Sequence, residues 1–264
     1  PKLPPFPASA KRIIFLFMKG GPSHLDTFDY KPKLNDMRGI DLPDSVRQGQ
    51  RLTGMSASQS SMPLVGSPFK FKQHGQSGAW VSSVFPKIAE ITDDLCFIKS
   101  MYGSNSRHGG ALLELHTGSD TFIRPSLGSW VTYGLGTENQ DLPAFVVLRD
   151  GKPFGGTSSW GNGFLPALYQ GTQFRSGSIP VLNLRSAISR DEQRKTLDLI
   201  QLLNQKHRQQ RPGQSDLEAR IAAYELAFRM QTRAPEAFDL SRESRATQAL
   251  YGLGQDETDE YGRQ

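Results

Sequence analysis

A single cysteine, Cys96, occurs in the 264 residues. No disulfide can therefore form within the chain, which is compatible with a reducing compartment and does not exclude the periplasm. Cys96 lies in the apolar stretch Leu95-Cys96-Phe97-Ile98, which predicts a buried structural thiol. Long apolar runs are also missing. The longest, residues 13–18, has six residues and mean hydropathy is −0.48, far from the ~18–20 apolar residues of a membrane-spanning helix. No five basic residues run together, and aromatic residues do not alternate with basic ones, which argues against a nucleic-acid surface. There is no cysteine pair at zinc spacing, no G-x-S-x-G, no Walker loop and no G-x-G-x-x-G after a strand.

What is present fits a soluble globular chain of one large α/β domain or two small ones, with 36% hydrophobic and 22% charged residues. Gly 26 and Pro 17 predict many loops. Lys+Arg 31 against Asp+Glu 26 leaves +5, read as a solvated basic surface and compatible with small anionic substrates. The chain opens at Pro1 with no apolar signal segment and no twin-arginine pair. A removed targeting segment and an excerpt of a longer protein are both open.

Residues 12–18 show no alternation of apolar and polar positions and read as a buried strand, ended by a turn at Lys19-Gly20-Gly21-Pro22-Ser23. Residues 36–78 read as a long loop excursion with short strands near 68–73. Val81, Val84, Ile88 and Ile91 recur at 3, 4 and 3, which predicts a helix from Trp80. A second buried strand is expected over 95–100, helices over 109–116 and from 125, and a third strand over 144–149. A Gly-rich loop covers 151–163, and a short fourth strand is expected over 180–184. Residues 190–264 read as a helical segment, with a capping box at Ser215-Asp216-Leu217-Glu218. Strands alternating with helices predict a single α/β domain over 1–264 with a mostly parallel sheet.

Two clusters could carry chemistry. Ser23, His24, Asp26 and Asp29 follow the first expected strand, where imidazole and carboxylates could hold a divalent metal. The same residues could form no more than a polar turn with an Asx cap. Ser104, Asn105, Ser106 and His108 precede an expected helix, whose amino end favours an anion. Ordinary capping by Asn105 or Ser106 is the other reading. His116 lies two turns beyond His108.

Several stretches resemble a bacterial family named domain of unknown function 1501. They are Ala10-Lys11-Arg12-Ile13-Ile14-Phe15-Leu16-Phe17-Met18-Lys19-Gly20-Gly21-Pro22-Ser23-His24-Leu25-Asp26-Thr27-Phe28-Asp29, Lys31-Pro32, residues 108–118 and Pro125-Ser126-Leu127-Gly128-Ser129-Trp130. Leu142-Pro143-Ala144-Phe145-Val146-Val147 and Tyr224-Glu225-Leu226-Ala227-Phe228-Arg229-Met230-Gln231 are further matches. The resemblance implies the alkaline phosphatase and sulfatase superfamily, and with it a three-layer α/β sandwich with metal ions at the carboxyl edge of a mostly parallel sheet. It also implies an exported, periplasmic or secreted protein of which this chain is the amino-terminal portion, incomplete at its carboxyl end.

Under that resemblance the metal-binding aspartate expected directly after the first strand is replaced by Lys19-Gly20-Gly21. Asp26 becomes the substitute ligand, with His24 and Asp29 behind it. The nucleophile of such enzymes starts a helix ending in Thr-Gly. Counting nine residues back from Thr117 reaches His108, as catalytic residue, with Ser106, Asn105 and Ser23 as anion-binding neighbours. The expected activity is hydrolysis of sulfate or phosphate esters with a divalent ion (Zn, Mn or Ca), on an anionic small molecule or glycan. The alternative is a non-catalytic exported protein of the same fold that binds sulfated glycans or a protein partner.

Overall fold

The structure is a computed structural model and describes residues 7, 9–18, 20–49, 54, 56–149, 155–175, 180–181 and 184–263. The chain divides into two compact units, 1–102 and 103–264.

In the first unit, short helices α1 (His24–Thr27), α2 (Pro32–Asp36) and α3 (Asp44–Arg47) precede a hairpin of β1 (Phe71–His74) and β2 (Ala79–Ser82). The strands run antiparallel, Phe71 opposite Ser82 and His74 opposite Ala79. Asp93 secures the turn between them, its carboxylate accepting from the amides of Gln76 at 2.8 Å and Ser77 at 3.0 Å. α4 (Pro86–Glu90) follows, and both it and α1 pack on β2, where Val81 and Ser82 are buried. Aromatic rings carry much of this packing. Tyr30 lies 5.0 Å from Phe71 and 4.5 Å from Trp80, while Phe28 lies 5.5 Å from Phe85 and 5.1 Å from Phe97. Such pairs add about 0.5–1.5 kcal/mol each beyond area burial. The 36–78 excursion is closed at its neck, where Asp41 bridges Pro63 and Leu64 exchanges backbone bonds with Gly39 and Ile40 at 2.9 and 2.8 Å.

The second unit opens with α5 (His108–Thr117) and α6 (Leu127–Leu135). β3 (Val146–Arg149) and β4 (Thr172–Arg175) pair in parallel, Val146 opposite Thr172. Between them, 3₁₀ helices Gly156–Trp160 and Ala167–Tyr169 pack on α5, α6 and the later helix Ser215–Ala237. α7 (Arg190–Gln209), α8 (Ser215–Ala237), α9 (Arg245–Leu250) and α10 (Asp259–Gly262) complete it. Phe174, Met230 and Ala234 form its buried core, with Leu226 and Phe238 against them. Buried Ser126 and Ser129 bond each other at 3.0 Å, and Ser129 Oγ donates to the Gly161 carbonyl at 3.0 Å, so these polar groups are satisfied. Arg194 joins α7 to α8 through paired 2.9 Å bonds to Glu225.

Several elements differ from the sequence expectation. Residues 12–18 and 95–100 lie in no strand and are largely exposed, with Ile14 at 82% and Ile98 at 65%. No strand among the described residues pairs with either run, and an apolar run without a ladder partner has no reason to hold strand geometry. The helix expected from Trp80 is instead the end of β2, a turn and α4. Pro86 stands at the first helical position, where its missing N–H costs nothing, and would break a helix running through it. The capping box falls at Ser189-Glu192 rather than at Ser215: Ser189 Oγ accepts from the Glu192 amide, and Glu192 Oε2 accepts from the Ser189 amide at 3.1 Å. Ser215 is already inside α8, with Gln214 at the cap position and no side-chain cap. Residues 180, 181 and 184 are in no strand; 182–183, Lys19 of the expected turn and 151–154 of the Gly-rich loop lie outside the described residues.

Candidate functional site

The sequence-predicted residues fall into two groups, one in each unit. Ser23, His24, Asp26 and Asp29 belong to the first. α1 is one turn long and begins at His24, so Ser23 takes the cap position and Asp26 enters the first turn. The Ser67 and Ser23 hydroxyls donate to Asp26 and hold its carboxyl below the usual carboxylate range. Asp29 is paired with Lys31 at 3.0 Å.

His24 and Asp29 share a wall of a cavity of about 380 Å³ with Cys96, Lys99 and the rings of Phe28 and Phe97. Cys96 is exposed there, not buried as the apolar run implied, because residues 95–98 are not a core strand. Sequence reasoning missed Lys99 and the role of Cys96 because they stand some seventy residues from α1, and only the fold brings them to it.

The divalent metal implied by the resemblance does not fit these residues as arranged. Among the described residues no three of His, Cys, Asp and Glu come together in a way that could hold a metal ion. Asp29 is neutralised by Lys31, and the Asp26 carboxylate is occupied by two hydroxyls.

The second group surrounds the amino end of α5. His108 is the first helical residue and is exposed, as is Ser106. Arg107 occupies the cap position and supplies no side-chain cap, and the first turn of an α-helix has amides without an intrahelical acceptor. Asn105 is engaged within its own loop. Its Oδ1 accepts from the Arg107 amide at 2.9 Å, and its Nδ2 donates to Asp120 at 3.0 Å. The Ser104 amide and hydroxyl both donate to Glu114, at 2.9 and 3.0 Å. Two straps thus hold the loop, Ser104–Glu114 onto the helix it precedes and Asn105–Asp120 onto the segment just past that helix's end.

Gly110 makes that arrangement possible. A β-carbon there would lie 2.2 Å from Asn105 Nδ2, so any larger residue would displace the strap. Hydrogen bonds from Asn105 and Thr121 hold the Asp120 carboxyl below its ordinary pKa. Next to α5 lies the 3₁₀ helix Gly156–Trp160, whose Ser159 is buried with a hydroxyl that has no hydrogen-bond partner among the described residues. A β-carbon at Gly155 would lie 2.9 Å from Ser159 Oγ, 3.1 Å from Leu112 and 4.0 Å from the Gly109 carbonyl. This buried hydroxyl therefore sits in the neighbourhood of the first turn of α5. No sequence pattern singled out Ser159 or Asp120. His116 is half-buried in α5, and burial pushes its pKa down.

No helix among the described residues is long and apolar enough to cross a membrane. No curated protein and no solved structure matches the chain. One family model does match, over residues 10–264, nearly the whole length and including both groups just described. The chain belongs to the family described as protein of unknown function DUF1501.

Proposed function

We propose that this protein is a hydrolase of sulfate or phosphate esters whose substrate anion meets the amino end of α5. The observation that carries the reading is the composition of that end. An exposed imidazole, His108, stands at the first helical position, followed by Gly109 and Gly110; the cap residue Arg107 supplies no side-chain bond, and the buried Ser159 hydroxyl, without a partner among the described residues, is close by. Such an end offers backbone N–H groups and a positive dipole to ester oxygens. An imidazole beside it can move the proton that ester cleavage requires. Asp120, one of the two strapping carboxylates, accepts from Asn105 and Thr121, which disperse its charge.

The superfamily placement, the three-layer sandwich and an exported location belong to the same proposal, and the parallel pairing of β3 with β4 supports it. The divalent ion that the resemblance implies would need donors other than His24, Asp26 and Asp29 as they stand here. A second reading is a non-catalytic protein that binds sulfated glycans or a protein partner. It is favoured by the engagement of Asp26 and Asp29 with their own neighbours.

The test is turnover of aryl sulfates and aryl phosphates by the protein, with and without added Mn²⁺, Ca²⁺ or Zn²⁺. Release of the aryl group that disappears in His108→Asn supports the hydrolase. Saturable binding of a sulfated glycan with no turnover under any metal condition replaces it with the second reading.

A further inference from the structure

Apart from α5, the feature with most recognisable chemistry is the 380 Å³ cavity of the first unit. We propose that it binds a small amphiphilic anion, one aromatic ring or short acyl chain carrying a single anionic head group. The proposal does not rest on the hydrolase reading, since no residue of α5 takes part.

Charge sets the head group. The titratable side chains on the wall are His24, Asp29, Cys96 and Lys99. Asp29 is neutralised by Lys31 at 3.0 Å. Lys99 forms no ion pair among the described residues, and it leaves a cation at the cavity. Placed against partly apolar walls, an ammonium favours an anionic oxygen more than it would in open water.

Apolar walls set the rest of the ligand. The rings of Phe28 and Phe97 stand 5.1 Å apart at 45°; Phe28 also stacks on Phe85, and the partly exposed remainder of both rings gives the cavity an aromatic wall. Ile98 and Met101 also line the cavity and are 65% and 69% exposed, apolar surface that a ligand would cover. Size sets the upper limit. A volume of about 380 Å³ is near the lower end of small-molecule pockets, typically ~300–1,000 Å³, enough for one ring and its head group and too small for an oligosaccharide or dinucleotide.

The sole cysteine gives a direct readout, because Cys96 lines this cavity and is exposed. The experiment follows alkylation of Cys96 by neutral iodoacetamide in the presence of phenylphosphonate, whose C–P bond resists hydrolysis, so the readout is independent of turnover. Saturating phenylphosphonate is expected to slow alkylation, while inorganic phosphate and benzyl alcohol at the same concentration leave the rate unchanged. Lys99→Gln, an exposed position, is expected to raise the half-protecting phenylphosphonate concentration about tenfold, in keeping with loss of one charge-assisted contact, with protection scored against the variant's own unprotected rate. No protection by phenylphosphonate overturns the proposal. Equal protection by inorganic phosphate, equal protection by benzyl alcohol, or an unchanged half-protecting concentration in Lys99→Gln overturns it as well.

Discussion

Asn105 and Asp120 show how a candidate site is shaped by bonds among its own residues. The Asn105 amide joins the Arg107 backbone to the Asp120 carboxylate, and Gly110 leaves room for it. Gly110→Ala is expected to expel that side chain and lower Tm, while Gly109→Ala, with open space around its β-carbon position, moves Tm less; thermal unfolding of the two variants checks this. His108→Asn should reduce aryl ester turnover by about 10²–10⁴-fold, the usual worth of a positioned acid–base group, measured as aryl release. His116 carries a pH signature. Its pKa is lowered in the folded protein, so below the ordinary value of 6.5 the unfolded chain binds the proton more readily. Stability should therefore fall as pH drops through that value and level off once the folded-state pKa is passed. In His116→Gln this part of the Tm-against-pH curve should be flat, and a retained slope would assign it to another group. At this scale the sequence was informative where neighbours in sequence are neighbours in space. His24 and Asp29 do share a cavity, and Asn105 and His108 do share a helix start. Lys99, Cys96, Asp120 and Ser159 were hidden because each acts through a tertiary contact that leaves no local pattern.

Helix ends and chain breaks decide the elements. α7 begins with a reciprocal Ser189–Glu192 box, while α8 begins without a side-chain cap although Ser215-Asp216-Leu217-Glu218 has the same lettering. Ser189→Ala is expected to cost about 1 kcal/mol, and Ser215→Ala close to nothing, measured by chemical denaturation of each variant. Glu192 adds a pH dependence of known sign. Its carboxyl is held below the usual range by Ser189, so the contribution is present above the unfolded-state pKa of about 4.3 and fades as pH falls through the lower folded value. The helices α5 and α6 were readable from the glycines that close them, α7 and α8 from apolar spacing, and β3 from its apolar run, all of which are local signals. The expected helix from Trp80 failed on a local sign that periodicity overrode, namely Pro86 at a helix start. The runs 12–18 and 95–100 failed for a different reason. Apolar character shows that a segment would profit from a sheet, not that a neighbouring strand lies beside it.

For the molecule as a whole, each unit holds its own apolar centre. The second is organised by Phe174 on β4 against Met230 and Ala234 on α8, with the Phe238 ring 5.3 Å away. Phe174→Ala is expected to cost about 3–5 kcal/mol by opening a cavity between sheet and helix, read from the denaturation midpoint. The first unit depends on rings packed over one hairpin, and its cavity is a consequence of that packing around Phe28 and Phe97. Family membership extends over both units and fixes no activity, so the functional claim stands on the start of α5. The measurement that bears on it most directly is a titration of the ¹⁵N-labelled protein with inorganic phosphate, followed at the Gly109 and Gly110 amides. Saturable movement of both resonances, weakened in His108→Asn and intact in Lys99→Gln, is the predicted result. Resonances that stay fixed while phosphate binds elsewhere, or that move equally in His108→Asn, would contradict the claim.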